Sequence, residues 1–168
     1  DAQTLKSFDS DGFTLGTNTS SNASGGTYVS WNWKGANSTA SNSDGSITST
    51  VSANPTAGFS IVKYTATGTN GTVGHGLSKG PEFVISMKDG GQAHYTFAGI
   101  NGRGPGYFEM SSNANYSEGS NPFGGTNPSS TTVGVSSSNA STDTYYLYCW
   151  HGVQGFSKFG NYNGSANA

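Results

Sequence analysis

Apolar and polar side chains alternate without a break over residues 28–34: Val29, Trp31 and Trp33 in one set, Ser30, Asn32 and Lys34 in the other. Successive side chains of an extended chain point to opposite faces. The spacing therefore predicts a strand with one buried and one wetter face, as in an antiparallel sheet. The pattern is written twice. Residues 28–35, YVSWNWKG, align with residues 145–152, YYLYCWHG, and keep an aromatic ring at Tyr28/Tyr145, Trp31/Tyr148 and Trp33/Trp150. Elsewhere short aromatic and β-branched runs are bounded by Gly, Asn and Ser, the signature of many strands joined by turns. No stretch of a dozen residues carries apolar positions at helical spacing uncut by Gly or Pro.

Strands are expected over residues 13–16, 28–34, 47–52, 59–65, 72–74, 82–87, 94–97, 107–110, 131–135, 144–151 and 156–162. The run through Phe83, Val84 and Ile85 is continuously apolar, so its strand is expected to be central. Trp31, Trp33, Phe83, Ile85, Tyr148 and Trp150 are the expected core. The resulting fold class is all-β: an antiparallel β-sandwich, jelly-roll or concanavalin-like, with long Gly/Asn/Ser-rich loops.

Composition decides between order and disorder. Only 32% of the 168 residues are hydrophobic and 10% charged, values that often mark a disordered chain, but three Trp, nine Tyr and nine Phe argue for a packed core. A formal net charge of −2 with no basic run gives no footprint for nucleic acid. No apolar segment approaches the ~20 residues of a membrane-spanning helix, so no membrane insertion is expected. Cys149 is the single cysteine and forms no intrachain disulfide; between Tyr148 and Trp150 it reads as a small buried hydrophobe. Asp1 stands where an initiating Met is absent, which fits a processed or partial chain.

The repeat extends beyond the aromatic strand. Thr14-Leu15-Gly16 matches Thr132-Val133-Gly134, Asn22-Ala23-Ser24 matches Asn139-Ala140-Ser141, and Gly58-Phe59-Ser60 matches Gly155-Phe156-Ser157. Two organisations account for this: a cut from a tandem array, or one two-sheet domain with a duplicated hairpin. The array reading divides the chain into the end of one unit (1–35), a linker with a short strand (36–57), a complete sandwich unit (58–154) and the first strand of a following unit (155–168).

The blocks GFSIVKYTATGTNGTVGHGLSKGPEFVI, YYLYCWHGVQGFSKFGNYNGS and SFDSDGFTLG…NASGGTYVSWNWKG together resemble an uncharacterised tandem-repeat domain of large structural proteins of marine bacteriophages, cyanophages included. The resemblance spans nearly the whole chain. Its strongest marker is Gly74-His75-Gly76-Leu77 followed by Pro81; the segment 89–130, rich in Gly, Asn and Ser, departs from it. It implies a non-enzymatic structural module of a virion appendage (tail, fibre or capsid decoration), located on a virion or outside the cell. Its partners would be itself or other virion proteins. It implies no cofactor and no catalytic residue. The alternative is a carbohydrate-binding module for host-surface glycans.

Candidate sites are few. Arg103, the sole arginine, sits on the glycine-rich loop GINGRGPGYFEM, and with Tyr107, Tyr116 and Phe123 it could face a glycan. The plainer reading is a hairpin tip with one solvated charge. His75, between Gly74 and Gly76 and ahead of Pro81, could bind a metal or sugar, or simply fix a turn. Asp9-Ser10-Asp11-Gly12 opens like a calcium loop but lacks the closing glutamate, so Asp9 and Asp11 read first as turn residues. Glu82, Glu109 and Glu118 are the only glutamates, and nothing in their spacing makes a catalytic pair.

Overall fold

The computed structural model describes residues 4–91, 94–98, 106–110, 116–118, 122–139 and 142–160. Two compact units are present, Asp1–Trp33 and Lys34–Ala168.

In the first unit, β1 (Leu5–Phe8) pairs antiparallel with β2 (Phe13–Leu15). The hairpin turn closes where the Asp9 amide donates to the Gly12 carbonyl. A single helical turn follows, α1 (Thr19–Asn22), whose Asn18 cap accepts from the Ser20 amide at 2.9 Å. Tyr28 ties this turn down, its hydroxyl accepting from the Ala23 amide at 2.8 Å and donating to the Thr19 carbonyl at 3.2 Å.

Among the described residues the second unit contains ten strands: β3 (Ala40–Asn42), β4 (Ser49–Asn54), β5 (Phe59–Thr65), β6 (Gly71–Gly74), β7 (Phe83–Lys88), β8 (His94–Ala98), β9 (Gly106–Glu109), β10 (Ser117–Glu118), β11 (Thr132–Val135) and β12 (Thr144–Trp150). Eight of them form one antiparallel sheet in the order β10-β9-β8-β7-β12-β5-β4-β3, and β6 and β11 form a two-stranded ribbon. The fold is all-β and sandwich-like, with the ribbon packed on one face of the large sheet.

Register explains that face. Val51 opposes Val62, Val62 opposes Leu147, Cys149 lies between Ser60 and Val84, and Val84 opposes Phe97. These residues meet Val73, Val133 and Val135 of the ribbon and Phe123 of the preceding loop in one buried cluster. Ile47 bridges Val73 in parallel, and Ser46 and Thr72 exchange two 3.0 Å side chain–backbone bonds, so a third segment flanks the ribbon. Ser49 fastens sheet to ribbon by donating to the Gly74 carbonyl at 2.9 Å.

Several expectations are corrected. Residues 28–34 form no strand, and Trp31 and Trp33 are 74% and 48% exposed instead of core. The physical reason lies in the other copy. At the positions of Leu147 and Cys149, which fill the covered face, the first copy carries Ser30 and Asn32. Of the remaining expected core, Trp150 is buried, whereas Phe83, Ile85 and Tyr148 are half-buried. They alternate with the covered residues and so lie on the opposite face of the sheet. The segment 36–57 is not a linker: β3 and β4 extend the main sheet, with Val51 in its core. Residues 155–160 form no strand; Val153 and Ser157 bridge across a turn that needs Gly155 at φ +79°, and Phe159 stacks on Phe83. Residues 161 and 162 of that expected strand lie outside the described residues.

Candidate functional site

The two copies of the aromatic segment have opposite fates, and that contrast marks an exposed apolar surface among the described residues. In β12 the run occupies the interior of the eight-stranded sheet, between β5 and β7. Its outward residues pair with apolar or cationic partners: Tyr148 with Ile61 and Ile85, Tyr146 with Lys63. The Lys63 ammonium lies 6.0 Å from the Tyr146 ring centroid, at the outer limit of a cation–π contact. Trp150 packs between Phe59 and Phe83, with centroids at 5.1 and 5.5 Å.

The first copy has no sheet around it. Residues 27–36 belong to no strand, and Tyr28, Val29, Trp31 and Trp33 are all exposed. In the first unit Tyr28 is held by its hydroxyl. In the second unit the Lys34 carbonyl accepts from Asn54 at 3.2 Å, and the Ala36 amide donates to the Ser52 hydroxyl at 3.0 Å. Large apolar side chains in a row outside any sheet are the kind of surface that stable proteins cover or pair.

The three described aromatics of the expected glycan cluster are not brought together on one surface. Phe123 is a core residue, 1% exposed and edge-on to Phe97 at 5.9 Å. Tyr107 packs against the same core and meets Tyr95 edge-on at 5.4 Å. Tyr116 sits 5.2 Å from Phe108, and Phe108 pairs with Thr96, which places that ring on the opposite sheet face from Tyr95. Arg103 lies outside the described residues.

His75 is fully buried and tied at both ring nitrogens: Nδ1 accepts from the Leu77 amide at 3.1 Å, and Nε2–H donates to the Ser129 carbonyl at 3.3 Å. This arrangement fixes one tautomer and a turn. Burial holds the imidazole below its ordinary range, against the opposing pull of the Ser129 carbonyl and Asp44. Gly74 leaves no room for a Cβ against the Asn42 side chain, Gly76 adopts φ +68°, and Pro81 is buried. The motif is thus a buried corner joining ribbon to sheet. Asp9 accepts from Ser7 at 2.9 Å and Thr14 at 2.8 Å, the pattern of a hairpin turn. Among the described residues no group of three His, Cys, Asp or Glu side chains could hold a metal ion. Burial pushes the Cys149 thiol up to about 12, against the Ser60 hydroxyl opposite it, so it is held as an unreactive thiol.

Sequence reasoning missed the buried pair of Asn139 and Tyr64, joined at 2.9 Å. The only hint was the recurrence of Asn-Ala-Ser in both copies.

A family model for a domain of unknown function, DUF7483, matches residues 1–168. The chain belongs to this family. No curated protein and no solved structure matches it. As a DUF7483 domain it spans both units, so the exposed aromatic segment lies inside the matched region.

Proposed function

We propose that this DUF7483 domain is a non-enzymatic structural module that joins other modules through β-strand contacts. The observation that carries the reading is the aromatic segment 28–34: its second copy is an interior strand, while the first is exposed and outside any sheet. A strand-forming run without a sheet is a means of assembly by strand addition. The sequence resemblance adds the setting, a phage virion appendage acting outside the cell, with itself or other virion proteins as partners.

Sedimentation velocity over a range of concentrations, alongside a glycan array, tests the reading. Self-association with a silent array is the expected result. A chain that stays monomeric and lights up glycans would overturn it in favour of carbohydrate binding.

A further inference from the structure

Resting on the assembly reading above, we infer that residues 28–34 pair with the same residues of a second copy of this chain, antiparallel and centred on Trp31. The segment has nearly the same polarity read in either direction about that residue: Ser30 and Asn32 flank it, then Val29 and Trp33, then Tyr28 and Lys34. An antiparallel two-fold pairing therefore sets Trp31 against Trp31, Val29 against Trp33, Ser30 against Asn32 and Tyr28 against Lys34. Every cross-strand pair is matched. Val29, Trp31 and Trp33 of both copies form one apolar face, and Ser30 and Asn32 hydrogen-bond on the other.

This chain already uses the same pairings. Tyr146 of β12 faces Lys63 of β5, the counterpart of Tyr28 facing Lys34. Tyr148 faces Ile61, an aromatic on a β-branched residue, the counterpart of Trp33 facing Val29. No proline interrupts residues 27–36, so every residue retains an N–H for a ladder. Competing arrangements are poorer. A parallel pairing sets Lys34 against Lys34, and a slip of one residue sets Trp31 against Ser30 or Asn32 and turns the apolar faces of the two copies to opposite sides. The matching is self-complementary, as a two-fold interface requires.

Val29, Trp31 and Trp33 of two copies still expose roughly 700 Å² between them, below a standard interface, so weak association is expected.

Sedimentation equilibrium should show a monomer–dimer equilibrium that Trp31→Arg weakens more than tenfold, with the near-ultraviolet circular dichroism of the second unit retained. Directly opposed Cα atoms in an antiparallel pair lie within disulfide reach. Under mild oxidation, Trp31→Cys should cross-link to itself. Val29→Cys should cross-link to Trp33→Cys in a mixture, in preference to either alone. The buried Cys149 stays silent. Self-cross-linking of Val29→Cys as readily as Trp31→Cys, or a mass above two copies, overturns the two-fold pairing and leaves the assembly reading standing. A monomer at every concentration overturns the self-pairing, and a monomer that also lights up the glycan array overturns the assembly reading as well.

Discussion

Replacing Trp150 and Trp31 by Ala in separate chains compares two copies of one strand in two environments. Trp150 is 7% exposed and touches Phe59 and Phe83. Truncating a buried aromatic of this kind costs about 3–5 kcal/mol, since the lost transfer energy adds to that of the cavity. Trp31 is 74% exposed, so only about a quarter of its surface leaves water on folding. With roughly 200 Å² for the ring system and about 25 cal/mol per Å², that burial is worth about 1 kcal/mol, an upper figure because the unfolded chain also buries some of it. Urea unfolding followed by far-ultraviolet circular dichroism, at concentrations low enough to keep the chain monomeric, measures both. Trp150→Ala should lower the midpoint strongly and Trp31→Ala barely move it. A Trp31→Ala cost above about 2 kcal/mol would mean that ring is packed, and the contrast between the copies would fail.

Other sites give independent tests. Gly74→Ala should destabilise the second unit because the new methyl meets the Asn42 side chain, and Asn42→Ala should recover much of the loss in a double-mutant cycle. Tyr64→Phe leaves the buried Asn139 amide without its acceptor and should cost about 1–3 kcal/mol in urea unfolding. The buried His75 takes up its proton less readily than an unfolded histidine. Its contribution to stability is therefore intact above about pH 6.5 and is lost as pH falls below that value; His75→Asn, which keeps an acceptor for Leu77, should shrink the loss in melts between pH 8 and 4. With its thiol raised by burial, Cys149 should resist an aromatic disulfide reagent at pH 8 and react only as fast as the chain unfolds; rapid native labelling would contradict its burial.

Most strand positions were legible as short aromatic or β-branched runs ending in Gly, Asn or Ser, because backbone geometry and turn chemistry are local, although residues 28–34 carry the same mark and form no strand. The expected strands 59–65, 82–87 and 144–151 lie on β5, β7 and β12 almost residue for residue. The Gly74-His75-Gly76 corner was visible as a tight turn for the same reason. Strands without large apolar residues, such as β3 and β10, left no such mark, because they form by adding to an existing edge.

Burial was not local. Alternation says which side chains share a face, but not whether a partner strand exists or which face the ribbon covers. Val29, Trp31 and Trp33 alternate as well as the β12 residues, yet only β12 offers Leu147 and Cys149 to the covered face. Phe123 looked like a loop aromatic free to meet a ligand until the sheet brought Phe97 against it. By itself the sequence determined an all-β antiparallel chain and the faces of its strands. Which of the two aligned aromatic segments fills the sheet and which stays outside was decided only by tertiary packing, through the complementarity of each face to the residues set opposite it.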